Sequence, residues 1–138
     1  MTALHVDIVS AEGHIHTGEA TMVFAPAEMG EVGIAPRHAP LLTRLKPGTV
    51  RVQQAGGEEL KFFVGGGILE IQPHLVTVLA DTALRAKDAD EAAAAKAKEA
   101  AEDALANAKS DIDVARAQAE LIEAAARLQF VQNLKKTR

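Results

Sequence analysis

The sequence predicts an α+β chain, an N-terminal antiparallel β-sandwich followed by a C-terminal antiparallel α-helical hairpin. Three observations carry that expectation. All ten glycines fall between Gly13 and Gly67 and all five prolines between Pro26 and Pro73, so residues 74–138 hold neither helix breaker. Nineteen alanines crowd the stretch from Ala83 to Ala126. Ahead of them, short apolar runs recur at roughly 8–12-residue spacing with turn residues between them, and no long helical pattern intervenes. The boundary falls between Asp81 and Asp88 and divides the chain into a β domain, 1–84, and a hairpin, 85–138.

The strands follow in order. Leu4, Val6 and Ile8 alternate with His5, Asp7 and Val9, the period of a half-buried strand. Gly13 breaks the chain, and His14–Gly18 and Ala20–Ala25 give the next extended pieces. Further runs are Gly33–Ala35, Leu41–Leu45, Thr49–Gln53, Glu59–Val64, Ile68–Ile71 and Leu75–Ala80. Met29-Gly30, Lys46-Pro47-Gly48, Ala55-Gly56-Gly57 and Gln72-Pro73-His74 are the predicted turns between them. A sandwich or a barrel satisfies this pattern, and a parallel βαβ sheet does not. Gly65-Gly66-Gly67 runs on into Ile68-Leu69-Glu70-Ile71, a strand, rather than into Gly-Lys-Ser/Thr and a helix. It predicts a bulge or a close backbone approach, not a phosphate loop.

Two helices follow. Asp88 with Glu91 has capping-box spacing, and Ser110 with Asp113 is a weaker version, giving helices over 89–106 and 111–135. The short link at Asn107-Ala108-Lys109 forces an antiparallel pair. Val114, Ala117, Leu121, Ala124, Leu128 and Val131 form one seam, and Ala94, Ala97, Ala101, Ala104 and Ala108 the facing one. At roughly 25 cal/mol per Å² of apolar area, an alanine seam buries little. The hairpin is therefore expected to rest on helix propensity and to be loosely held.

Composition excludes several functions. Nineteen acidic against fifteen basic side chains give a net charge of −4, without the broad positive face that phosphate backbones require. The acidic excess lies entirely in residues 1–82, with nine acids to five bases, while 83–138 carry ten of each. The absence of cysteine excludes disulfides, thiolate metal sites and a cysteine nucleophile. His14 and His16 share metal-ligand spacing on one strand face but lack a third ligand nearby, so no metal is expected. No nucleophile–base pair stands out, and no catalytic residue is assigned. The residues from Met1 to Asp7 lack a secretory pattern, and no run of 18 apolar residues could span a membrane. A soluble protein on the cytosolic side is expected.

The stretch from Gly30 to Leu42, GEVGIAPRHAPLL, resembles a signature of the epsilon subunit of the bacterial F-type ATP synthase. Gly66–Pro73 followed by Val76–Ala83 is similar to that family's second signature, and Leu4–Glu12 and Lys46-Pro47-Gly48 also fit. The resemblance runs from end to end. It implies a ten-stranded sandwich on the central gamma stalk touching the membrane c-ring, with the Glu28–His38 loop at that contact and Glu31 and His38 facing the partners. It implies a non-catalytic subunit that couples proton-driven rotation to ATP synthesis. Its hairpin would restrain ATP hydrolysis by meeting the catalytic alpha and beta subunits through Arg116, Arg127, Lys135, Lys136 and Arg138. The place would be peripheral, on the cytoplasmic face of the bacterial plasma membrane.

Some members of that family bind ATP through an Ile/Leu-Asp-x-x-Arg-Ala motif. The aligned stretch here, Ala89-Asp90-Glu91-Ala92-Ala93-Ala94, keeps Asp90 and Ala94 and has Ala93 in place of the arginine. Asp90, Arg116 and Arg127 are the candidate ligands, and weak ATP binding is the expectation, because a triphosphate needs cations. The rival reading is a free-standing sandwich binding module with a helical dimerisation hairpin.

Overall fold

The outward and inward alternation of the apolar runs is realised in eight strands. The structure, a computed structural model, describes residues 3–136. The strands are β1 (Leu4–Ser10), β2 (Gly13–Ala20), β3 (Met22–Ala27), β4 (Gly30–Ile34), β5 (Leu41–Gln53), β6 (Glu59–Ile71), β7 (Leu75–Ala80) and β8 (Ala83–Arg85). A 3-10 turn over Ala86–Asp88 precedes α1 (Glu91–Ala106) and α2 (Asp111–Lys136). The chain divides into two compact units, one reaching Lys87 and the other beginning at Asp88.

In the first unit the strand order is β2-β1-β7-β6-β5-β3-β4, and β8 pairs with β6. Every pair is antiparallel except β1 and β7, where His5 lies beside Leu75 and Ser10 beside Ala80. Eight strands thus stand where the family resemblance implied ten. Of the nine runs read from the sequence, two pairs are continuous, which leaves seven, and β8 is an eighth strand that the sequence reading did not anticipate. β5 runs straight through Lys46-Pro47-Gly48, with Pro47 opposite Gly65, and β6 runs through Gly65–Gly67. The expected turn at Pro47 is therefore a bend inside a strand, since proline's missing N–H costs nothing at a point where the ladder kinks.

Gly67 shows why a glycine is needed at that bend. Its φ is 137°, and a Cβ there would overlap the carbonyl oxygen of Leu79 and lie 2.9 Å from the Ala80 Cα. Gly48, on the neighbouring strand, admits Pro26 in the same way, since a Cβ would sit 2.9 Å from the proline Cβ. Gly65–Gly67 is thus the close backbone approach that the sequence predicts. β7 and β8 share one register along β6, Ala80 opposite Gly67 and Ala83 opposite Val64, so together they follow the same bend. Bent in this way, the sheet closes on one core. It contains Leu4, Val6, Ile8, Val23, Ile34, Val50, Val52, Val64, Leu69, Ile71, Val76 and Val78, with Phe62 the one aromatic among otherwise aliphatic side chains.

In the second unit α1 packs against α2, and Lys135 Nζ lies 2.6 Å from Glu91 Oε1, which joins the end of one helix to the start of the other. The caps differ from the expectation at one end. Ser110 Oγ accepts the Asp113 N–H at 3.1 Å as predicted. At α1, however, the cap is Asp90, whose side chain accepts the Ala93 N–H at 3.2 Å, while Asp88 closes the 3-10 turn. Ala94 and Ala101 are buried on α1, but Ala104 is exposed and Leu105 takes its place on the half-buried side. On α2, Ala117, Ala124 and Val131 are buried as expected, and Phe130 joins them.

Candidate docking surfaces

Three surfaces carry the residues that could meet another molecule. The first is the outward face of β1, β7, β6 and β5. Register places Val9 beside Leu79, Leu79 beside Ile68, and Ile68 beside Arg44. The next row runs Thr17, Asp7, Thr77, Glu70 and Leu42. Leu79, Ile68 and Leu42 expose 48%, 44% and 69% of their surface. An apolar row bordered by Asp7 and Glu70, with Arg44 at its end, is the composition of a contact surface rather than of a solvated sheet face.

At the margin of this face, Thr17 Oγ1 donates to Asp7 Oδ1 at 2.7 Å, and His5 Nε2 lies 3.0 Å from the same oxygen and 3.1 Å from the threonine. The Thr17 hydroxyl, with help from His5, holds the Asp7 carboxyl below its ordinary value. The set has the membership of a nucleophile, base and orienting acid, but the carboxylate takes the hydroxyl proton bond directly. The imidazole does not stand between them, so the three are not arranged as a nucleophile–base–acid relay.

The second surface is the β3–β4 hairpin and the segment after it. Met29 at its tip is 96% exposed. Glu31 does not lie on a loop, as the sequence led us to expect for Glu28–His38. It sits on β4 opposite Pro26, exposed, with Oε1 3.4 Å from Arg51 Nη2. Arg51 lies 4.2 Å over the Phe24 ring and pairs with Glu59 at 3.2 Å. Gly33 leaves room on this strand for Phe24, whose ring a Cβ there would meet at 3.2 Å. His38 does lie in the connection that follows, half-buried, with Nδ1 donating to the Ala39 carbonyl at 2.7 Å. The same connection is tied down where the Arg37 N–H meets the Pro73 carbonyl at 2.8 Å.

The third surface is the hairpin. Arg127 lines a shallow cleft between α1 and α2 with Ala97, Ala100, Ala101, Glu120, Glu123 and Ala124. Lys136 and Arg116 are exposed, and Lys135 is joined to Glu91; Arg138 lies outside the described residues. The three candidate nucleotide ligands do not converge. Asp90 is spent as a cap beside Glu91, at the Lys135 end of the hairpin. At 1.5 Å per residue, Arg127 is about 12 Å along α2 from Lys135, and Arg116 about 28 Å, near the opposite end.

The two histidines of β2 do not share a face either. Ile8 pairs with His16 and Val9 with His14, so Ile15 is an inserted residue, His14 is exposed and His16 turns inward. Among the described residues no group of three His, Asp or Glu side chains is placed to hold a metal. The Arg51 network and the His5–Asp7–Thr17 cluster escaped sequence reasoning. Alternation marks His5 and Asp7 as outward, but only the register supplies Thr17.

Comparison with known proteins matches both units. The family description "ATP synthase, Delta/Epsilon chain, beta-sandwich domain" matches residues 3–86, and "ATP synthase, Delta/Epsilon chain, long alpha-helix domain" matches 82–132. The chain is 62% identical over 136 residues to a protein of Alkalilimnicola ehrlichii named ATP synthase epsilon chain, covering 99% of this chain and 97% of that one. It is also 62% identical over 133 residues to the Nitrosococcus oceani protein of that name, covering 96% and 95%. The fold is similar to a chain in the mitochondrial ATP synthase of Euglena gracilis, with a TM-score of 0.76 at 18% identity over 89% of this chain and 78% of that one.

Proposed function

The chain belongs to the family of ATP synthase epsilon chains, and from that premise we propose that it is a non-catalytic central-stalk subunit that couples proton-driven rotation to ATP synthesis and restrains ATP hydrolysis through α1 and α2. The observation that carries the proposal is the match of both units in their order, sandwich then helices, over nearly the whole chain. The outward row of Val9, Leu79 and Ile68, with Leu42 in the row beside it, supports docking on the gamma subunit, where burial of exposed aliphatic area would supply the affinity. The β3–β4 tip, with Met29, Glu31 and the nearby His38, is the proposed contact with gamma and the c-ring. No helix among the described residues is long and apolar enough to cross a membrane. Attachment to the cytoplasmic face of the bacterial plasma membrane would then run through these partners.

In the proposed brake, Arg116, Arg127, Lys135 and Lys136 meet an acidic segment of the catalytic alpha and beta subunits. Lys135 must then leave Glu91. Both partners of that pair are substantially exposed, so the exchange of one acid for another costs little and is screened by salt. A brake of this kind is reversible. ATP binding to the hairpin is proposed to be weak, since Ala93 offers no cation and Asp90 and Arg116 stand far apart.

The test is to remove residues from Asp88 onward and measure ATP hydrolysis by the purified membrane complex. Hydrolysis should rise while assembly and proton coupling persist, and replacing Arg116, Arg127, Lys135 and Lys136 with Ala should give part of the rise. Unchanged hydrolysis in both variants removes the brake. Failure of the chain to co-purify with the other subunits would favour the free-standing module.

A further inference from the structure

We propose that β8 is a releasable strap, fastened across the sandwich by Arg85 and His16, which acid loosens so that the tether to the helical unit lengthens. β8 is only three residues long, pairs with β6 alone, and none of its side chains is fully buried. Beyond its ladder with β6, it is held by the Arg85 side chain. The guanidinium Nε donates to the Ile15 carbonyl at 2.9 Å, and Nη2 reaches the His14 carbonyl at 3.4 Å. Those two carbonyls belong to the bulge of β2, the strand at the far end of the sheet order, so one side chain ties the edge strand to the strap.

His16 stands in the same seam. Its ring lies 5.1 Å from that of Phe62, and Phe62 is the residue opposite Arg85 in the β6–β8 ladder. Its Nε2 is buried without a hydrogen-bond partner. A neutral imidazole can leave that nitrogen as a bare acceptor, but an imidazolium must place an N–H there with nothing to receive it. The charged groups that act on it are Arg85 from β8 and Asp7 and His5 from β1. Arg85 and a protonated His5 repel a new positive charge, whereas Asp7, the one group favouring it, is already engaged by Thr17 and His5. Burial, then Arg85, accordingly lowers the His16 pKa from 6.5.

The sign follows. The closed strap disfavours protonated His16 and the released strap does not. Closure is therefore favoured above the ordinary imidazole value and weakens as pH falls through it. Release leaves the chain tethered from the end of β7 rather than from Arg85. Five residues, 86–90, then become ten, 81–90, and the greatest reach grows from about 18 Å to about 36 Å. The consequence for hydrolysis rests on the brake proposed above; the strap itself does not.

Hydrogen exchange of the full isolated chain, corrected for the intrinsic pH dependence of the exchange chemistry, tests the strap without the membrane complex. At about pH 7.5 and about pH 5.5, either side of the ordinary imidazole value of ~6.5, the wild type should lose protection at residues 83–85 on acidification. His16→Phe, which keeps a ring against Phe62, should hold its protection at both values, and Arg85→Gln should be poorly protected at both. In the wild type, the Leu84 amide and the His16 ring should titrate together by NMR, a readout that stands even if His16→Phe fails to fold. Unchanged wild-type protection, or an equal loss in His16→Phe, overturns the proposal. A strap that opens while hydrolysis by the assembled complex ignores His16→Phe would leave the strap standing and count against its link to the brake.

Discussion

Replacing Gly67 with Ala should damage the sandwich more than the same change at any other glycine of this chain. The residue holds φ at 137°, a region that an L side chain occupies at a cost of about 1–3 kcal/mol. The added Cβ would overlap the Leu79 carbonyl oxygen and stand 2.9 Å from the Ala80 Cα and 3.0 Å from the Leu79 carbonyl carbon. All three are backbone atoms of β7, so no flexible side chain can swing aside. Forcing β7 outward, at the rung where Gly67 faces Ala80, adds an overpacking cost of about 1–3 kcal/mol. The total of about 2–6 kcal/mol is a large share of the 5–15 kcal/mol that holds a typical domain. Gly56→Ala is the control, because its Cβ would meet nothing within 4 Å. With no Trp or Tyr in the chain, unfolding in urea is best followed by circular dichroism in the strand region. For a denaturant slope of about 1–3 kcal/mol per molar, the Gly67→Ala midpoint should fall by about 1 M or more. A midpoint equal to that of Gly56→Ala would refute the steric account of the bend.

Asp7 gives a pH signature of the same sense as His16, in a more acid window. The Thr17 hydroxyl holds its carboxyl below the ordinary 3.8, so the stabilisation is fully present above that value and is lost as pH falls through the folded-state value. Thr17→Val should therefore be less stable than wild type near neutrality and approach it in acid, as urea midpoints at several pH values would show; a gap independent of pH contradicts the assignment. ATP should bind the isolated chain weakly. The missing cation at Ala93 removes a charge-assisted contact worth about 1.5–3 kcal/mol, or about one to two decades in Kd, and titration calorimetry showing micromolar affinity would contradict this.

The order of strands and then helices is legible because glycine, proline and alanine act locally, and the composition break needs no knowledge of tertiary neighbours. The inward residues Leu4, Val6, Ile8, Val50, Val52, Val76 and Val78 are legible for the same reason, since period-2 alternation is a property of one strand. Lys46-Pro47-Gly48 misleads because the same residues serve a turn and a bend. What decides between them is Gly65 across the ladder, which spacing along β5 cannot reveal. His14 and His16 part company because of a bulge set by pairing with β1. Asp88 and Asp90 are chemically equivalent caps, and the dihedral angles at residue 90 choose between them. On the candidate surfaces, exposure of Glu31 follows from its charge, whereas its pairing with Arg51 depends on three strands meeting in register.

The parallel pairing of β1 with β7 has a bearing on how the chain is made. His5 must find Leu75, 70 residues later, and between them lie five other strands. The β1–β2 hairpin can close early, but one edge of β1 then waits for a partner that has not been synthesised. At about 5–20 residues per second of translation, that wait is about 4–14 s. During it Leu4, Val6 and Ile8 have no complete core to enter, and an unpaired strand edge is a template for association with other nascent chains. The helices are joined by a link of four residues, 107–110, and each contact between them closes a short loop, so their pairing is fast once both have emerged. The slow step in biogenesis is therefore completion of the sandwich, gated by the arrival of Leu75–Ala80 at the ribosomal exit.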